Sequence, residues 1–471
     1  MSQKKIVIVV DNPNRDLPAC SLLAVQLSQK YQVYLIPVSQ APFEIFRIQP
    51  DLAILNYLRV TNLKMVQQMI VTGIAFAILD TEGGVFAKIP DSNDTTYTKT
   101  IISDKNTRDQ LQLYFAWGQV LFSDLKNRSI YPESSLFCTG TPRTDFYHPS
   151  FAPYFLTDKK VLLDKENKNL RKLVLINTSF STNNPKFSNR EKEARMLIEQ
   201  FNFPDDYTYK LFDDLDQVMQ EFIKLAQFLA TNMPDVDFVL RPHPFEGLDV
   251  YEKNLQGYAN LRVDSSDVVA RWIWESSALI HYECSTALEA AFAGRPALSL
   301  AAYKEIRPNA DIGKITRYVN SFSEMKNVLH EVLEGKYQNP PNIERQLKSI
   351  ENDIYYKVDG QSYQRIASVI DEWLAKKNNP PITELKDPKK ALPMAVLSYL
   401  FKSSLQFYFL CFYTIRSIIK YIVKRRLVPP AKSFSSPQVQ NILDKILKVN
   451  FIKTLARQPL LSTAIEVSVN K

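Results

Sequence analysis

Residues 6–10 form an unbroken run of β-branched residues, Ile6-Val7-Ile8-Val9-Val10. A strand apolar on both faces belongs inside a parallel sheet. A polar loop, a helical pattern over residues 22–30 and a second apolar run over 32–37 follow, which is the opening of a parallel βαβ unit. Further strands are predicted at 52–55, 74–79, 114–116 and 135–139, so residues 1–150 read as one doubly wound domain. A charged stretch over 158–172 separates this from a new alternation. It comprises a strand at 173–176, an amphipathic helix around 215–232, strands at 238–240, 279–281 and 297–300, and a helix over 286–293. The prediction is an α/β protein of two Rossmann-like domains facing a cleft, with boundaries at 1–150 and 168–335. After Pro340-Pro341, residues 336–379 read as helices packing back on the domains, and 385–471 as an extension.

Charge changes the picture of that extension. Residues 381–471 carry 15 Lys and Arg against 4 Asp and Glu, so the tail holds +11 where the whole chain has +8. Residues 394–426 are apolar and aromatic, with Lys402, Arg416, Lys420, Lys424, Arg425 and Arg426 set into them. The uncharged stretch between Lys402 and Arg416 is shorter than the ~20 residues a spanning helix needs. An interfacial helix on anionic lipid is therefore expected, with a helix packed on the body or in a homodimer as the alternative. A second amphipathic segment, 439–456, serves either purpose. Positive charge confined to a tail argues against a nucleic-acid partner. Cys20, Cys138, Cys284 and Cys411 form no CxxC pair, and the short N-terminal apolar run meets Asp11 without a cleavage site. Both features fit a cytoplasmic protein, here peripheral at the inner membrane face.

Three constellations carry chemistry. Asp80-Thr81-Glu82-Gly83-Gly84 follows a predicted strand, where open α/β sheets bind ligands. Asp80 or Glu82 is the candidate general base, with Gly83 and Gly84 lining the cleft. Arg241-Pro242-His243-Pro244 follows another strand; its prolines stiffen the loop, and Arg241 and His243 donate to phosphate or carboxylate. His281-Tyr282-Glu283-Cys284-Ser285-Thr286 leads into a helix carrying Glu289 and stopping at Gly294. Ser285 or Cys284 caps that helix, whose N-terminus suits a donor phosphate, while Glu289 suits ribose hydroxyls. Capping does not account for His281 and Glu283 in the same turn. Asn177, Thr178 and Ser179 end another strand and suit phosphate, and Gly140 and Arg143 face the domain junction. Asp214-Leu215-Asp216 and Asp235-Val236-Asp237 match a metal-binding DxD, but helix-start and turn roles suffice for them, so no metal and no resident cofactor is assigned. The chain lacks GxSxG, GxxxxGK[ST] and GxGxxG, which disfavours hydrolase, kinase and dehydrogenase readings.

The segments IVIVVDNPNRDLPACSLLAVQL, LDTEGG, FAWG, CTGTPRTDFY, LINTSFS, LRPHP and HYECSTALEAAFAGRP occur in that order over roughly residues 5–300. Together they resemble the bacterial family of surface carbohydrate biosynthesis proteins. The resemblance implies a metal-independent GT-B glycosyltransferase, with a nucleotide-sugar as co-substrate in the second domain and a glycan or lipid-linked acceptor on the first. The set is also similar to Kdo transferases and teichoic-acid glycerophosphotransferases, which implies a cytidine nucleotide. By that resemblance His243, Ser285 and Thr286 meet the donor phosphate, Glu289 the ribose, and Asp80 or Glu82 the acceptor. Family members often have Asn-Gly before the cysteine, where this chain has Tyr282-Glu283. The rival readings are a nucleotide-sugar 2-epimerase and a non-catalytic scaffold of a polysaccharide assembly complex.

Overall fold

The computed structural model describes residues 3–82, 84, 97, 100–156, 172–201, 203–266, 268–306, 310–376, 432–450, 454–457 and 464–469. They fall into two compact units, one of residues up to Tyr154 with the chain from Glu351 onward, the other Phe155–Ile350.

In the first unit β1 (Lys5–Val10), β2 (Gln32–Pro37), β3 (Leu52–Leu55), β4 (Ala75–Ile78), β5 (Leu113–Ala116) and β6 (Leu136–Cys138) pair in the order β2-β1-β3-β4-β5-β6, all parallel. Ile6 to Val10 are all buried, which is why this central strand shows no polar alternation. The order reverses between β1 and β3, so the loops leaving these strands part and open a crevice. The polar loop expected after β1 is instead the start of a helix, Pro13–Ser28. Asn12 caps it by accepting the Asn14 N–H, and Pro13 lacks only an N–H that the first turn leaves unbonded. The charged and proline-containing opening hides the apolar face that emerges from Leu17 onward.

The chain re-enters this unit at Glu351 and ends its return in the helix Ser362–Lys376. Asp145, fully buried, accepts the Ser362 and Tyr363 N–H groups at 2.9 Å each and so caps that helix. Arg365 Nε donates to the Thr139 carbonyl at 2.8 Å. Gly140 has φ +77°, and a Cβ there would meet Ser362 Oγ at 2.6 Å. The Thr-Gly-Thr-Pro-Arg segment is thus built around the returning helix.

Where 385–471 is expected to be a membrane-associating tail, its described residues 432–450, 454–457 and 464–469 join the first unit. The helix Ser436–Asn450 packs on Pro13–Ser28, with Val439, Leu443 and Ile446 buried. Two strands, β13 (Thr454–Arg457) and β14 (Ile465–Val469), extend the sheet: β14 runs antiparallel along β2 and covers its edge. The described helical part of the amphipathic segment 439–456 therefore packs on the first unit. The aromatic and basic stretch 394–426 lies outside the described residues. Among the described residues no helix is long and apolar enough to cross a membrane.

The second unit holds β7 (Lys172–Asn177), β8 (Val236–Arg241), β9 (Leu261–Val263), β10 (Ala278–His281), β11 (Ala297–Leu300) and β12 (Arg317–Val319). The order β9-β8-β7-β10-β11-β12, parallel throughout, is that of dinucleotide-binding folds, with its reversal between β7 and β10. The edge strands β9 and β12 are three residues each and too short to show in an apolar pattern. One face is covered by the helix Asp205–Asn232. It starts after Pro204 with two aspartates in its first turn and buries Phe212, Leu215, Val218, Phe222, Leu225 and Leu229, a helical spacing.

Leu443→Ala tests the docking of the C-terminal helix. A cavity between this helix and Pro13–Ser28 lowers unfolding stability by about 2–5 kcal/mol in a denaturant titration, whereas truncation in an undocked tail leaves it unchanged.

Candidate functional site

Strand register sets the second unit's site. Asn177, Arg241 and His281 end β7, β8 and β10 and are paired in one row, His281 to Asn177 and Asn177 to Arg241. Asn177 is 2% exposed and donates from Nδ2 to Thr286 Oγ1 at 3.0 Å, spanning the reversal point. Thr286 donates in turn to Cys284 Sγ at 3.1 Å. Among the described residues Asn177 Oδ1 has no partner, which leaves a buried acceptor at the reversal point. Ser285 is exposed and its side chain makes no cap hydrogen bond to the helix Thr286–Phe292. The expected capping role therefore does not occupy its hydroxyl. Glu289 lies one turn into that helix, 8% exposed.

His281, a candidate for binding the donor, is turned into the fold instead. It is fully buried, and its Nε2 meets Thr316 Oγ1 at 3.1 Å. Thr316 Oγ1 already donates to the Ile312 carbonyl at 2.7 Å, so His281 Nε2 carries the proton and donates. Burial pushes its pKa down to about 3, which keeps the ring neutral. Glu283 is likewise turned into its own unit. It is buried, adopts φ +41°, and accepts the Tyr318 hydroxyl at 2.8 Å. A left-handed glutamate is strained, and the tight turn between β10 and its helix imposes it.

Beside this row, the loops after β7 and β8 are fastened by a residue that the motif reading passed over. Glu246 is 1% exposed and accepts four hydrogen bonds. Oε1 takes the Phe180 and His243 N–H groups at 2.8 and 3.1 Å; Oε2 takes the Thr178 and Tyr251 hydroxyls at 2.8 and 2.6 Å. Asn184 and Gly247 add reciprocal bonds of 2.9 Å. His243 Nδ1 accepts the Phe245 N–H at 3.3 Å, and the two rings stack with centroids 5.8 Å apart and planes inclined by 30°. Phe245 is 49% exposed and meets Phe187 edge-on. The signal available in the sequence was an acidic residue just beyond RPHP, in a segment with no other carboxylate to fasten it.

The first unit has its own site at the reversal between β1 and β3. A small pocket there is lined by residues of both strands together with Asp16, Asp80, Thr81, Trp117 and Arg143. Asp80 is 3% exposed. Its Oδ1 accepts the Glu82 N–H at 2.8 Å and its Oδ2 the Tyr97 hydroxyl at 2.9 Å, and Tyr97 is hydrogen-bonded to Tyr114. Arg59 Nη2 stands 3.7 Å from Asp80 and 2.9 Å from Glu82. Desolvation pushes Asp80 up to about 6 against the pull of these donors. Glu82, with its side chain 48% exposed, is the carboxylate turned outward. Gly84 packs so closely that a Cβ would meet the Trp117 ring at 2.8 Å; Gly84 and Gly140 are thus required by packing. Gly83 lies outside the described residues. Among the described residues no group of three or more His, Cys, Asp and Glu can hold a metal ion. Asp214 and Asp216 pair with Lys210 and Arg190 instead.

The chain resembles solved structures of several nucleotide-sugar enzymes. A UDP-N-acetylglucosamine 2-epimerase is 12% identical over 81% of this chain and 99% of that one, with a TM-score of 0.49. The UDP-GlcNAc 2-epimerase of Neisseria meningitidis bound to UDP-GlcNAc is 13% identical over 78% and 100%, at 0.44. The wall teichoic acid polymerase TagF is 10% identical over 79% and 90%, at 0.47. At these values the likeness says nothing of reaction or ligand. No protein-family model and no curated protein matches the chain.

The pH response of Asp80 is testable. Its folded value lies above the ordinary 3.8, so the fold favours the protonated acid, and that advantage is lost as pH rises through about 6. Between pH ~4 and ~7 the wild type loses stability relative to Asp80→Asn by on the order of 1–3 kcal/mol, read from urea midpoints.

Proposed function

We propose that the chain is an enzyme acting on a nucleotide-activated sugar, bound in the second unit at the reversal between β7 and β10. The observation that carries this reading is the set of polar groups gathered there. Asn177 and Thr286 bridge the reversal point, the Ser285 hydroxyl is not used for capping, and a fastened loop holds Arg241 and His243 at the neighbouring strand end. Arg241, His243, Ser285 and Ser179 take the diphosphate as hydrogen-bond donors, while Thr178 spends its hydroxyl on Glu246 and its N–H on the Arg241 carbonyl. The Asn177 Oδ1 acceptor repels phosphate oxygen and takes a hydroxyl, and Glu289 takes ribose hydroxyls. His281 and Glu283 position this end of the sheet from beneath.

The reaction we assign is glycosyl transfer to a surface-polysaccharide acceptor. An enzyme with two substrates needs a second site, and the first unit has a pocket at its own reversal point. A base there takes the acceptor hydroxyl proton as the oxygen bonds to the sugar's anomeric carbon and the bond to the nucleotide phosphate breaks. Asp80, held up to about 6, stands near the neutral range useful for such proton transfer, with Glu82 as the exposed alternative. The second reading, epimerisation of the bound sugar, uses the same nucleotide site and no acceptor. The cationic aromatic sequence over 394–426 addresses the enzyme to an anionic membrane face.

Three measurements check this. Calorimetric titration with CDP, UDP and GDP without metal gives saturable binding to one or more, weakened at least ~10-fold in His243→Ala; a folded protein that binds none sinks the reading. Nucleotide-sugar consumed only with acceptor present marks a transferase, and a changed sugar without acceptor marks an epimerase. Deletion of 394–426 abolishes co-sedimentation with phosphatidylserine vesicles at low salt, while neutral vesicles bind neither form.

A further inference from the structure

We propose that Glu246 is a positioning residue that makes residues 178–187 and 242–247 one preformed clasp, presenting His243 as a neutral hydrogen-bond donor to a ligand oxygen. This rests on the nucleotide-sugar reading for the ligand, but not for the clasp.

An ionised carboxylate has about four acceptor sites, and Glu246 uses all of them. The division between its oxygens matters. Oε1 alone joins the loops through backbone, taking one N–H from Phe180 after β7 and one from His243 after β8. Oε2 ties the same carboxylate to the side chains of Thr178 and Tyr251. The loops are also zipped where Pro185 bridges Glu246 and Lys186 N donates to the Phe245 carbonyl at 2.7 Å. Gly247 lies close against this fit, and a Cβ there, 2.9 Å from Asn184 Oδ1, would push the Asn184 side chain aside.

The consequence reaches the imidazole. With the His243 backbone fixed by Glu246, the Phe245 N–H points at Nδ1 and makes it the acceptor, which leaves the proton on Nε2. The carboxylate touches the histidine's backbone, not its ring, so it does not activate His243 as a base. It sets the direction of a neutral N–H donor beside the exposed Phe245 ring. A diphosphate oxygen of the nucleotide is the ligand this donor suits, and a pre-set donor loses no freedom when the ligand arrives.

Glutamine keeps the shape of Glu246 but replaces one oxygen with an amide that cannot accept, so two of the four bonds fail. The test combines deuterium exchange with a double-mutant cycle of Glu246→Gln and His243→Ala, using UDP and CDP in calorimetry. Peptides from 178–187 and 242–247 are expected to exchange roughly tenfold faster together in Glu246→Gln, with melting lowered by only a few degrees. Nucleotide affinity falls about tenfold in the wild-type background and not at all in His243→Ala, because the effect passes through that ring. An equal loss in both backgrounds, or faster exchange in one loop alone, overturns the proposal. Tyr251→Phe removes a single donor to Oε2 and gives a milder joint loosening if Glu246→Gln does not fold. A wild type that binds neither nucleotide removes the functional reading and the ligand role, while the exchange result still decides the clasp.

Discussion

Parallel pairing requires every strand to be followed by a crossover, so all carboxyl ends of a sheet leave from one edge. Both units are built on this constraint, and in each the strand order reverses once. Loops diverge there, and polar residues at the strand ends are left facing a gap instead of a neighbour. Asn177, Arg241 and His281 share a row because their strands pair in register, and Asp80 reaches the first unit's pocket because β4 ends beside β3.

Buried carboxylates then turn these edges into defined sites. Asp80, Asp145 and Glu246 are each almost wholly enclosed, and each accepts backbone N–H groups. An enclosed charge is costly unless hydrogen-bonded, so each carboxylate dictates where its donors lie. Asp145 fixes the returning helix, Glu246 two loops, and Asp80 a tyrosine and the turn to Glu82. Desolvation raises the pKa of all three above ordinary values, Asp80 and Asp145 to about 6.

The first unit is completed by chain distant in sequence. The helix Ser362–Lys376, the helix Ser436–Asn450 and β14 all join a sheet laid down by residues before 140. Lys432 reaches Asp11 at 2.5 Å, so the C-terminal segment also touches the loop leaving β1. Covering the edge of β2 removes a row of open backbone groups that would otherwise pair with another chain.

The sequence by itself determined the class of fold. Apolar runs such as 6–10 and 52–55 have no polar face, and only strands buried on both sides tolerate that. A polar cluster just after such a run marks a strand's carboxyl end, and Asp80, His243 and Ser285 do lie beyond the ends of β4, β8 and β10. What the sequence did not hold was the set of partners. The same apolar spacing over 439–456 serves lipid or protein equally, and only its docking on Pro13–Ser28 decided between them for the described part. His281 and Glu283 looked like ligand groups until Thr316 and Tyr318, more than thirty residues on, enclosed them. Glu246 belonged to no motif, and only the four donors that converge on it give it a role. Periodicity is local and survives in one dimension; hydrogen-bond satisfaction and burial depend on what the other strands bring, and that exists only in the folded chain.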